Sequence, residues 1–173
     1  CKTVAIQGIG NVGLRLARYL HSAGAQLFIS DIYEENLLIA HEQTGATIVD
    51  NNTIYSLDVD VFSPCALGGA VNKNTIEVFK AKVIAGAANN QLSNSSMDIA
   101  LMNRNITYVP DYVINAGGII DIYHQTLDDG SDAKLMADVK NIGNTVLGVL
   151  EQAQEQGLPT QQIANKIAAS RFS

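Results

Sequence analysis

The sequence predicts an α/β fold: a doubly wound, mainly parallel sheet with helices on both faces, ending in a helical C-terminal extension. Three observations predict it. Thr3–Gln7 (TVAIQ) is a short, β-rich, apolar run that passes through a glycine-rich turn into a helical pattern. Short apolar runs and helical stretches then alternate, punctuated by Asn, Gly and Ser. In the last third, apolar residues recur every three or four positions, the spacing of amphipathic helices.

Each element follows in order. Thr3–Gln7 reads as a parallel strand covered on both faces. Val12, Leu16, Leu20 and Ala23 then mark one face of a helix, with Gly24 where a helix-ending glycine belongs. Gln26–Ser30 (QLFIS) is a second strand and closes a β-α-β unit. Residues 34–44 predict a second helix, with acids in its first turn and Gly45 beyond its end. Strand-like pieces follow at Ala46–Val49, Val61–Ser63, Val83–Ala85 and Thr107–Val109. Leu135, Val139, Ile142, Val146, Val149 and Ala153 form the stripe of a long helix that Gly157 and Pro159 stop. A final helix carries Ile163 and Ile167, with Thr160 as the expected N-cap. The stretch 128–132 (DDGSD) reads as a solvated loop. The whole chain, 1–173, is one domain in this reading, with a core over 1–130 and C-terminal helices over 131–173.

Composition narrows the function. With 173 residues, 47% of them hydrophobic and 16% charged, the chain can bury a core without metals or disulfides. A net charge of −6 and the absence of Trp argue against a nucleic-acid partner, which needs a basic face and stacking aromatics. No apolar run is long enough to span a membrane. Cys1 and Cys65 form neither a CxxC pair nor a disulfide framework, so a reducing cytoplasm is the expected compartment. The chain enters its first strand directly after Cys1 and Lys2, without Met. That start predicts a fragment cut just before this domain, or else a processed terminus.

Gly8-Ile9-Gly10-Asn11-Val12-Gly13 matches the dinucleotide-binding G-x-G-x-x-G. Its context is right: it follows a strand, opens a helix, and an acid ends the next strand. Gly8 permits the tight turn, Gly10 leaves room for a pyrophosphate, and Gly13 lets helix and strand pack closely. The N–H groups and dipole of the helix start attract phosphates. Asp31, about 20 residues past the glycines, is placed to accept hydrogen bonds from adenosine ribose hydroxyls. It would repel a 2′-phosphate, and the residues after it, Ile32 and Tyr33, offer no cation to bind one. The fold is therefore of the Rossmann type and the expected cofactor is NAD. The alternative is a turn that binds nothing, with Asp31 a surface acid.

Four stretches in this order resemble the glutamate/leucine/phenylalanine/valine dehydrogenase family, and its leucine dehydrogenase branch most. They are Val4–Gly13 (VAIQGIGNVG), Phe62–Gly68 (FSPCALG), Ile84–Leu92 (IAGAANNQL) and Val109–Gly118 (VPDYVINAGG). The resemblance runs from Lys2 to about Gly157. It implies reversible oxidative deamination of an apolar L-amino acid to a 2-oxo acid and ammonia. It also implies that Cys65 and Ala66 lie beside a cofactor ribose, that Ala87 and Asn89 line the nicotinamide end, and that Asn115 lies near both nicotinamide and substrate. A neutral amide suits that last place, since it both donates and accepts. Read without the resemblance, Cys65 is a small apolar core residue, and Asn89, Asn90 and Asn115 are turn or cap residues.

The resemblance further implies that the acid/base lysine, the substrate-carboxylate lysine and the catalytic aspartate belong to a substrate domain absent from this chain. No catalytic residue is therefore expected here, and the amino acid or oxo acid binds only with that other domain. The isolated chain is expected to be inactive and to form a monomer or a weak homodimer. His21, His41 and His124 lack metal-ligand spacing, and Lys73, Lys80 and Lys82 read as solvated lysines. A regulatory, NAD(H)-sensing module of a channel or transporter is the reading from another class. It shares the glycine loop and the acid but would not be expected to carry the other three motifs in order.

Overall fold

The computed structural model describes residues 1–127 and 131–171. The chain divides into two compact units, Cys1–Tyr108 and Val109–Ser173. The first holds a six-stranded sheet: β1 (Thr3–Gln7), β2 (Gln26–Ser30), β3 (Thr47–Ile48), β4 (Val61–Pro64), β5 (Val83–Ile84) and β6 (Thr107–Tyr108). Every pairing is parallel and the order is β3-β2-β1-β4-β5-β6. This is the order of doubly wound dinucleotide-binding sheets, reversing between β1 and β4. The fold is of the Rossmann type.

The strand residues sort by parity, as a sheet covered on both faces requires. Val4, Ile6, Leu27 and Ile29 pack with Ala17 of α1 (Asn11–Ser22) and Ala40 of α2 (Glu34–Thr44). Ala5, Phe62 and Ile84 face the other way, toward Met97 and Leu101 of α3 (Ser96–Asn103) and an aromatic group of Tyr55, Phe62 and Phe79. Burying such side chains at roughly 1.5–3 kcal/mol each is the main term holding this unit together.

The inner face of α1 matches its Leu and Val spacing only in part: Leu20 packs on the core and Leu16 is half-buried. Val12 is exposed, and the buried residues are Gly13 and Ala17, with Leu14 and Leu20 packed beside them. Small residues win the inner face because they let the helix approach the sheet closely. Both helices end as expected: Gly24 and Gly45 have φ of +82° and +64°. The strand-like pieces after α2 shorten to two residues at β3, β5 and β6 and extend to Pro64 at β4. α3 carries no long apolar stripe and was not evident in the sequence.

The second unit is helical: α4 (Asp111–Ile114), α5 (Gly117–Gln125), α6 (Asp132–Gln156) and α7 (Thr160–Ser170). The stripe on α6 is graded, half-buried from Leu135 to Val146 and buried at Val149 and Ala153, which meet Ile163 and Ala164 of α7. Ser131 caps α6 by accepting the Lys134 N–H, so Asp132 begins the helix rather than ending a loop. The remainder of that expected loop, 128–130, lies outside the described residues. Thr160 is the first residue of α7 and Pro159 takes the cap position, since proline has no N–H to satisfy there. His124 of α5 and Asp138 of α6 join these helices, Nε2 to Oδ2, at 2.7 Å. No helix among the described residues is long and apolar enough to cross a membrane.

Candidate functional site

At the carboxyl ends of the first unit's central strands lies a cleft of about 510 Å³. Its position beside the β1/β4 reversal is where open α/β sheets bind ligands. The glycine loop forms one wall. Gly8 has φ of +95°, and a Cβ there would stand 2.6 Å from the Ala66 nitrogen. A Cβ on Gly13 would lie 2.0 Å from the Gly8 carbonyl oxygen. These two glycines are required by the chain's own packing. Gly10 is different: a Cβ would meet nothing within 4 Å. It caps α1 with extended backbone that any residue adopts, so space toward the cleft is the property that distinguishes it.

Asp31 follows β2, and its carboxylate binds two backbone donors. Oδ2 accepts the Ile9 N–H at 2.5 Å and Oδ1 accepts the Tyr33 N–H at 2.8 Å. One side chain thus ties the glycine loop to the turn before α2. Asn51 adds a bond from Nδ2 to the Asp31 carbonyl at 3.2 Å. Beside the carboxylate, Ile32 is 79% exposed on the cleft's lip, an apolar surface next to an acceptor.

Opposite stands the segment after β4. Cys65 and Ala66 line the cleft as well. The Cys65 N–H donates to the Gln7 carbonyl at 2.7 Å, which fixes this segment against the end of β1. Burial pushes the Cys65 thiol up from its ordinary pKa, against smaller opposing hydrogen bonds from Ser63 and the Ala87 backbone. Such a thiol is a poor nucleophile near neutral pH. The contact brings Ala87 beside Cys65, while Asn89 is exposed two residues further on.

Gly8, Gly10, Asp31, Ile32, Cys65 and Ala66 therefore share one cleft. Asn11 and Val12 are exposed at the start of α1, and Gly13 is buried behind the loop. Asn115 belongs to the second unit, just past α4, where its N–H donates to the Asp111 carbonyl at 2.8 Å. Gln7 and Tyr55 also line the cleft but stand outside the sequence-based set. Gln7 donates through Nε2 to the Tyr55 hydroxyl at 2.9 Å, and burial raises the Tyr55 pKa. Gln7 precedes the glycines directly, so strand parity alone signals that it faces away from α1; nothing local marks Tyr55. Lys82 is exposed yet pairs with Asp60 at 2.8 Å, beyond the simple solvation expected of it.

Comparison with known proteins matches residues 29–172 to the Glutamate/Leucine/Phenylalanine/Valine dehydrogenase family. The chain is 46% identical over 171 residues to an L-tryptophan dehydrogenase of Nostoc punctiforme, covering 98% of this chain and 48% of that protein. It is 42% identical over 171 residues to the leucine dehydrogenase of Bacillus subtilis, covering 99% and 47%. The crystal structure of the Nostoc punctiforme L-tryptophan dehydrogenase superposes with a TM-score of 0.95 at 46% identity, over 98% of this chain and 52% of that one. The chain thus spans about half the length of these relatives. With most of the chain matched and three of the four motifs inside the matched span, this chain belongs to the Glutamate/Leucine/Phenylalanine/Valine dehydrogenase family.

Proposed function

We propose that this chain is the NAD-binding part of an amino-acid dehydrogenase that reversibly deaminates an apolar L-amino acid to a 2-oxo acid and ammonia. The observation that carries the cofactor reading is the Asp31 carboxylate, held at the cleft's lip by the Ile9 N–H next to exposed Ile32. An acceptor fixed there suits ribose hydroxyls and opposes a 2′-phosphate, so NAD is favoured over NADP. Open space at Gly10, between two glycines that packing requires, fits a pyrophosphate approaching backbone.

Gly8, Gly10, Asn11, Val12 and Gly13 would hold the pyrophosphate, and Asp31 and Ile32 the adenosine. Cys65 and Ala66 would border a ribose, with the Cys65 backbone rather than its thiol taking part. Ala87 and Asn89 would border the nicotinamide, and Asn115 both nicotinamide and substrate. The bound nicotinamide supplies the hydride acceptor. The chain's own part is to bind and orient it, and the acid/base groups belong to a substrate domain outside this sequence. An apolar amino acid is supported by the names of the relatives, which act on tryptophan and leucine. Two unpaired cysteines suit the cytoplasm. The chain alone is read as a monomer or weak homodimer, with Met136 and Leu147 exposed on α6. No specific observation favours a channel- or transporter-linked sensor.

Calorimetric titration of this chain with NAD and NADP tests the reading. Saturable binding of NAD, tighter than NADP, is expected; absence of binding by either would remove its basis.

A further inference from the structure

Gln91 is fully buried, yet its side chain is a primary amide. Its Nε2 donates to the Gly86 carbonyl at 2.7 Å and to the Ala88 carbonyl at 2.9 Å. One buried amide thereby ties together two carbonyls of a single short stretch. The same turn is pinned from outside. Ala88 donates its N–H to the Pro64 carbonyl at 2.9 Å, and a Cβ on Gly86 would lie 2.3 Å from that oxygen. Ala87 lies between these two held residues, with its N–H toward Cys65 and its side chain half-buried.

We propose that Gln91 is a positioning residue for the bound dinucleotide: its amide holds residues 86–88 in the path that presents Ala87 and Asn89 to the nicotinamide end. This rests on the NAD reading above. Gln91 lies behind the turn and is not among the cleft's lining residues, so its effect is transmitted through backbone. The adenosine side is held separately, by Asp31 and the glycine loop.

The test compares NAD with ADP-ribose, which lacks the nicotinamide, on the unaltered chain and on Gln91→Met, a substitution of similar length without hydrogen bonds. Thermal melts run in parallel. The expected result is a loss of about tenfold in NAD affinity, with ADP-ribose changed less than about twofold. A merely structural role would weaken both ligands together, and that outcome overturns the proposal, as does no change for either. Equal affinity of the unaltered chain for the two ligands also overturns it, since residues 86–89 then contribute nothing. If neither ligand binds the unaltered chain, the NAD reading itself fails and takes the proposal with it. Should Gln91→Met not fold, Gln91→Asn, whose shorter amide reaches one carbonyl at most, is titrated instead. A smaller loss confined to NAD supports the proposal, and equal losses overturn it.

Discussion

The Asp31 carboxylate accepts the backbone N–H of Ile9 at 2.5 Å, so the residue read as the ribose acceptor also braces the glycine loop. Its second oxygen takes the Tyr33 N–H. The acid therefore has a structural duty independent of any ligand. Asp31→Ala is expected to cost on the order of 1–3 kcal/mol, for hydrogen bonds to a charged acceptor that is partly exposed. Asp31→Asn, which keeps one acceptor oxygen, should lose less. Denaturant unfolding of both variants checks the order.

The three glycines should separate cleanly. Gly13→Ala places a Cβ 2.0 Å from the Gly8 carbonyl oxygen, which only backbone movement can relieve. A loss of roughly 2 kcal/mol or more is expected, lowering the melting temperature. Gly10→Ala meets open space and should cost about 1 kcal/mol at most, from a poorer helix cap. It should nonetheless weaken nucleotide binding. Melts and titrations of the two variants together check this, and a Gly10→Ala protein that melts as low as Gly13→Ala would contradict it.

At the opposite end of the strands, Asp60 accepts from Lys82 at 2.8 Å and from the Thr3 N–H at 3.0 Å. The Lys82 ammonium, then that N–H, hold its carboxyl well below the usual carboxylate range. A depressed folded-state pKa stabilises the fold above the ordinary carboxylate pKa, about 4, and that contribution fades as pH falls below it. Asp60→Asn should therefore be less stable than the unaltered chain at neutral pH. The gap should narrow from about pH 4 downward, as measured by melts across pH.

Cys65 gives a chemical prediction. Its thiol is raised by burial, whereas Cys1 is exposed. Iodoacetamide near pH 7.5 should label Cys1 well before Cys65, as peptide mass spectrometry would show. Cys65→Ala should keep NAD affinity within about twofold, because the proposed contact is through backbone.

Mixing this chain with NAD and L-leucine, L-tryptophan or L-phenylalanine should yield no NADH by absorbance. Steady turnover would mean that acid/base groups lie within these 173 residues after all.

Much of the first unit was legible because its determinants are local. TVAIQ before the glycines, QLFIS before Asp31, and Gly45 after α2 each state their conformation within a few residues. The cleft's acid and glycines were readable for the same reason. Tyr55 was not, since its role arises from Gln7, 48 residues away in the chain; Gln91 meets the nearby Gly86 and Ala88 carbonyls, but only the fold turns its amide inward onto them. The face of α1 misled in part because Val12 carries a strong hydrophobic signal yet is exposed, while close approach to the sheet selects Gly13 and Ala17. Asn115 was singled out through resemblance alone; locally it reads as the end of a single helical turn.

In the proposed function, this cleft selects NAD through Asp31. Its most direct test is the ratio of NAD to NADP affinity in the unaltered chain and in Asp31→Ala. A clear preference for NAD is expected, falling by about tenfold or more in the variant, mainly through weaker NAD binding. An unchanged ratio, in a variant that remains folded, would contradict it.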